Sequence, residues 1–113
     1  MWEIDFFFAP APVYEGGERP FYPYTILLVD GNLGLPLNAG VAKPQEYTDR
    51  FSEILMEFME RSGMMPGEIL VRKEEAFELL DPIASRLGIK LQLVKKLKMM
   101  EQVQSFMFQF FNR

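Results

Sequence analysis

Residues 24–30, YTILLVD, form an almost unbroken apolar run that ends in DGNLG. A strand wetted on one face alternates apolar with polar, so this run reads as a strand buried on both faces. Such a strand needs cover on both sides of its sheet. DGNLG, residues 30–34, is strong turn chemistry, and LPLNAGVA, residues 35–42, reads as the returning strand. Pro36 and Gly40 weaken that strand and suggest an edge position or a bulge. Upstream, WEIDFFF, residues 2–8, is rich in aromatic and β-branched side chains and reads as a further strand. Alternation puts Trp2, Ile4, Phe6 and Phe8 on one face, and Glu3, Asp5 and Phe7 on the other. The intervening APAPVYEGGERPFYP is a loop, with EGGE at its tip. The first 42 residues thus predict a three-stranded antiparallel meander.

The pattern then changes period. Tyr47, Phe51, Ile54, Leu55, Phe58 and Met59 recur at helical spacing, with Asp49, Arg50, Glu53, Glu57 and Glu60 mostly opposite, and Gly63 fits the residue after the helix. EILV, residues 68–71, reads as a short buried strand. A second helical stretch runs from about Glu74 to Leu87, with Ala76, Phe77, Leu80, Ile83, Ala84 and Leu87 inward and Gly88 at its end. Asp81-Pro82 predicts a kink there, or a split into two helices. IKLQLV, residues 89–94, alternates, with Ile89, Leu91 and Leu93 in and Lys90 and Gln92 out. A last helix spans about Lys98 to Phe111, its apolar stripe set by Met99, Met100, Val103, Phe106, Met107, Phe110 and Phe111. The order is β-β-β-α-β-α-β-α. Right-handed crossovers place the last two strands parallel to the first. The expected architecture is an α/β fold: a five-stranded mixed sheet of order 3-2-1-4-5 with helices on its faces.

Composition narrows the chemistry. The 113 residues suit one domain, 1–113, and 49% hydrophobic content argues against disorder. No apolar run approaches the roughly 18 residues that span a bilayer, so no membrane is expected. Glu3 and Asp5 interrupt what would be a signal peptide, which suggests a cytoplasmic protein. There is no cysteine and no histidine, so thiolate sites, thiol nucleophiles and the commonest neutral-pH base are absent. Serines such as Ser52, Ser62, Ser85 and Ser105 therefore have no histidine partner, and no phosphate-binding glycine motif is present. DGNLG has the outline of a calcium loop but lacks the downstream glutamate. Charge is uneven: residues 1–81 balance at −9 and residues 82–113 at +5. The basic cluster is Arg86, Lys90, Lys95, Lys96 and Lys98. It reads as a solvated strand edge, with nucleic-acid binding by Lys90, Lys95, Lys96 and Lys98 as an alternative.

The element order resembles the ribonuclease H-like fold of retroviral integrases and transposases, over nearly the whole chain. WEIDFFF looks like the first core strand of the transposase branch, where a tryptophan often precedes the first catalytic aspartate. ILLVDGNLGLPLNAGVA resembles the second and third strands, and GEILVRKEEAF the fourth strand and its exit. The combination of WEID, RPFYPYTILLVDGNLG, PGEILVR and LLDPIASRLGIKL also resembles an uncharacterised bacterial domain family of unknown function. The fold resemblance implies two or three carboxylates converging on Mg²⁺ or Mn²⁺. Asp5 matches the first. Val71-Arg72 stands where the second belongs, and Glu101 is the sole acid on the last helix. Asp30 belongs to its turn. A permanently charged guanidinium repels divalent ions, so a structural Arg72–Asp5 ion pair is expected in their place.

The expectation is therefore a catalytically silent module with no cofactor, acting by protein interaction or self-association. The alternative is a Mg²⁺- or Mn²⁺-dependent nuclease or transposase-like enzyme using Asp5 and Glu101. Met64, Met65, Met99, Met100 and Met107 suit either core filling or an adaptable surface. Phe108 falls outside the last helix's stripe, so it is expected to be exposed, beside Phe111, as a contact with another subunit or domain. The strand-one face bearing Phe7 is a second candidate surface.

Overall fold

The chain's computed structural model describes residues 1–12 and 19–111, with side chains to 109. Among these, β1 (Trp2–Phe8), β2 (Tyr24–Asp30), β3 (Pro36–Ala42), α1 (Tyr47–Ser62), β4 (Glu68–Val71), α2 (Glu74–Leu87), β5 (Lys90–Leu93) and α3 (Lys98–Phe111) follow the expected order. The EGGE tip lies outside the described residues. The sheet order is β3-β2-β1-β4-β5. β1–β2 and β2–β3 pair antiparallel, while β1–β4 and β4–β5 pair parallel. The mixed sheet is thus the one the sequence predicts.

Alternation on β1 sorts the two cores. Trp2, Ile4 and Phe6 join a cluster with Phe51 and Leu55 of α1 and Leu80 of α2. Phe6 stacks edge-on against Phe51 at 4.9 Å between centroids, and Tyr24 and Tyr47 complete an aromatic group beside it. Each such fully buried side chain contributes about 1.5–3 kcal/mol. On the other face Phe7, Leu27 and Val29 pack against Leu97 and Met100 at the start of α3. β2 is buried along nearly its whole length, as its unbroken apolar run requires. β3 is an edge strand whose pairing with β2 slips between Leu28 and Val29, so both the edge and the bulge expected there occur. Gly63 and Gly88 end α1 and α2 in the left-handed conformation, at φ 69° and 70°.

Several local expectations need correction. α2 runs unbroken through Pro82, not split there. An interior proline costs about 3 kcal/mol. Ala76 and Leu80 before it, and Ile83 and Ala84 after it, all pack on the sheet, so burial of the whole face outweighs the lost bond. Leu93 is exposed, not inward, because β5 is the other sheet edge. Phe8 is exposed at the end of β1. On α3, Met99, Met100, Val103 and Met107 pack inward as expected, joined by Gln104 and Phe108, so the exposed aromatic is Phe106, not Phe108. Phe7, expected on an accessible face, is buried and meets Phe108 at 6.1 Å between ring centroids. The Phe111 side chain lies outside the described residues. Among described residues, no helix is long and apolar enough to cross a membrane.

Candidate functional site

The parallel β1–β4 register builds the site. Trp2 pairs with Ile69 and Glu3 with Leu70, so two steps further Arg72 falls beside Asp5. Asp5 points to the α3 side of β1, where its carboxylate is fully buried. Arg72 Nη2 donates to Asp5 Oδ2 at 2.7 Å and to Gln104 Oε1 at 2.9 Å. Gln104 Nε2 donates back to Asp5 Oδ2 at 2.8 Å, closing a triangle of three side chains from β1, the end of β4 and α3. Arg72 Nη1 also lies 3.6 Å from Glu101 Oε1. Lys73 adds a second cation. Its Nζ donates to the Phe6 carbonyl and stands 3.8 Å from Asp5 Oδ1, the one oxygen of that carboxylate with no hydrogen bond. The buried Asp5 carboxylate thus meets two cations, and Arg72 links it to Glu101.

Further back along the same face of β1, Glu3 performs a different task. Leu97 precedes α3 and offers no capping oxygen. Glu3, buried on β1, supplies one: Oε1 accepts from the Met100 N–H at 2.7 Å and Oε2 from the Met99 N–H at 3.4 Å. A carboxylate there also matches the positive end of the helix dipole. Glu3 and Asp5 therefore fasten α3 to the central strand at two heights.

The structure brings Asp5, Arg72 and Glu101 together, and the Arg72–Asp5 contact is present. Gln104, Lys73 and Glu3 were not among the sequence candidates. Gln104 did leave a trace, as a polar residue within the α3 stripe between Met100 and Met107. Lys90 lies 3.8 Å from Glu68 across the β4–β5 edge, and Lys96 3.8 Å from Glu101. Lys95 and Lys98 are exposed. Lys90 and Lys96 thus each lie near a carboxylate of the same chain while their side chains stay largely exposed.

The donor set does not suit a pair of divalent ions. Asp5 and Glu101 are the acids at hand, and the Arg72 guanidinium bridges them. Among described residues, no group of three acidic, histidine or cysteine side chains could hold a metal. A guanidinium is charged at every working pH, so it cannot yield its place by losing a proton. What the arrangement does offer is rigidity: one polar network pins β1, β4 and α3 in register.

The comparisons fit this fold. The chain is similar to the catalytic core domain of BIV integrase as seen in its crystal structure, with a TM-score of 0.65 and 14% identity over 92% of this chain. It spans 63% of that integrase chain. At this identity the likeness shows the fold, which is ribonuclease H-like. No curated protein matches the chain. The model of a family described as "Domain of unknown function (DUF6930)" matches residues 1–108, and the chain belongs to that family.

Proposed function

We propose that the domain is a catalytically silent ribonuclease H-like module that acts by protein interaction or self-association. One observation carries this reading: the Arg72 guanidinium sits 2.7 Å from Asp5, where an enzyme of this fold would need cations of another kind. Moving it away would strand a fully buried carboxylate, a state that costs several kcal/mol. Binding energy from a metal would first have to overcome that loss. Mg²⁺ and Mn²⁺ take carboxylate oxygens, and among the described residues Glu101 is the one further carboxylate beside the pair, itself 3.6 Å from the same guanidinium. Interaction is supported by exposed apolar side chains, Phe106, Leu33 and Leu35 among them.

The test is a melting curve with and without Mg²⁺ or Mn²⁺, run alongside a nuclease assay. The expected outcome is an unchanged melting temperature and no cleavage. A metal-dependent rise that disappears in Asp5→Asn would overturn the silent reading, because specific binding to the folded state must raise its stability.

A further inference from the structure

Three of the chain's eight methionines meet at one place. α1 carries Met56 and Met59, which are one turn apart on the same side of the helix. Gly63 then ends the helix in the left-handed conformation and turns the chain, and Met65 follows two residues later. Met56, Met59 and Met65 line a single cavity of about 230 Å³, completed by Glu60 and by Leu87 at the end of α2. Met59 is buried, whereas Met56 and Met65 are 42% and 56% exposed, so the cavity reaches from the core to solvent.

The donor chemistry of this cavity is specific. Leucine fills space as well as methionine does, and what methionine adds is a polarisable sulfur. A thioether is a soft, uncharged donor that suits Cu(I), whereas Mg²⁺, Mn²⁺ and Ca²⁺ take oxygen. Unlike a thiol, it has no proton to lose before it binds. The surroundings favour a cation. Among the described residues, Glu60 is the charged side chain that lines the cavity, while Arg61 and Arg86 are exposed and do not. α1 and α2 both end beside it, at Ser62 and Leu87, and helix C-termini carry partial negative charge. With no cysteine and no histidine in the chain, no stronger soft-metal ligand competes for the ion.

We infer that Met56, Met59 and Met65 form a binding site for a soft monovalent cation of the copper(I) kind, with Glu60 offsetting its charge. Met59 belongs to the core that α1 and α2 share, so the site lies across the sheet from Asp5 and is independent of the silent reading of that group.

Silver(I) is the probe, since it shares the charge and sulfur preference of copper(I) and keeps its oxidation state in air. It is titrated as the nitrate, in chloride-free buffer, into protein with isotope-labelled methionine methyl groups, followed by NMR. The Met56, Met59 and Met65 signals shift together and reach a common end point at equimolar silver. Those of Met100 and Met107, which pack against the other face of the sheet, stay in place. Met65→Leu keeps the side chain's size at an exposed position but removes one donor. It weakens silver binding at least about 10-fold, because even the outer-shell partners of a metal are worth that much. Met64→Leu, at a comparably exposed neighbour that does not line the cavity, leaves the affinity unchanged. A Met59 signal that does not move, or three signals that saturate at different silver concentrations, overturns the inference and leaves these methionines as packing. So does a Met65→Leu protein that binds silver as tightly as wild type. The titration at Asp5 uses hard ions, for which thioethers are poor ligands, so the two readings fail separately.

Discussion

Asp5 is a full carboxylate with no exposure, and its burial is tolerable because three side chains answer it. Removing one partner of such a pair typically costs 3–5 kcal/mol. Arg72 keeps about a quarter of its side chain in solvent, which lowers the figure. Arg72→Met is expected to destabilise the fold by about 2–3 kcal/mol in urea unfolding. Replacing the whole triangle (Asp5→Leu, Arg72→Met, Gln104→Leu) removes both the stranded charge and the Gln104 amide oxygen left without its donor. That variant is expected to be at least as stable as Arg72→Met alone, since apolar replacement of a buried polar set is often neutral or favourable. If Arg72→Met unfolds at the wild-type urea midpoint, the guanidinium does not hold Asp5. The pair was legible in the sequence because strand order and register fix who sits beside whom. Gln104 was not, because a neutral amide reveals its partner only once the helix phase is known.

Elements differ in how their attachment can be read. α1 and α2 carry wide apolar faces and closing glycines, and their ends followed from sequence. α3 was placed correctly along the chain and Met99, Met100, Val103 and Met107 of its stripe pack inward, but Phe106 and Phe108 were exchanged, since "SFMFQFF" offers an apolar residue in almost every direction. What settles its rotation is polar: Gln104 turned to Asp5, and Glu3 on the first-turn amides. Glu3→Ala is expected to cost about 1–2 kcal/mol, in the range of a lost helix cap. The local readout is hydrogen exchange: the Met99 and Met100 amides should lose protection while those of β2 keep theirs. Uniform loss across the sheet would show that Glu3 acts on the fold at large and not as a cap. The unbroken α2 shows the reverse: of the kink or split that Asp81-Pro82 allows, packing on both sides of the proline rules out the split. Pro82 is exposed, so its ring contributes little to the core. Pro82→Ala is expected to stabilise the protein by about 1–2 kcal/mol, the helix gain less the extra freedom of the unfolded chain. A destabilised Pro82→Ala would mean that the proline shapes the helix instead of being carried by it.

For the molecule as a whole, the response to pH follows from what the chain lacks. Without histidine or cysteine, no side chain has an ordinary pKa between about 5 and 8. The stability curve is therefore bent at its ends, by carboxylates and by phenols. At the acid end, Asp30 accepts hydrogen bonds from the backbone N–H groups of Leu33 and Asn32, which hold its pKa below the usual 3.8. A lowered folded-state pKa adds stability above the unfolded value, and that stability disappears as pH falls toward the folded value. Asp30→Ala should thus flatten the curve below about pH 4 while lowering it above. At the alkaline end, burial raises the Tyr24 phenol well above 10.0, and Glu75, as its hydrogen-bond partner and a nearby negative charge, raises it further. Tyr47 is raised as well, by burial first and then by the charges of Glu75 and Glu78. Above about pH 10 the unfolded chain releases these protons and the folded chain retains them, so unfolding gains and stability falls. The two rings lie in the aromatic group that binds α1 to the sheet, so ionising them opens the larger of the two cores. Tyr24→Phe should cost about 1 kcal/mol at neutral pH through the lost hydrogen bond, yet move the alkaline loss of stability to higher pH. Urea unfolding repeated from about pH 3 to pH 11 checks both limbs. A Tyr24→Phe curve parallel to wild type above pH 10 would remove Tyr24 from the account and leave Tyr47 as the group that titrates.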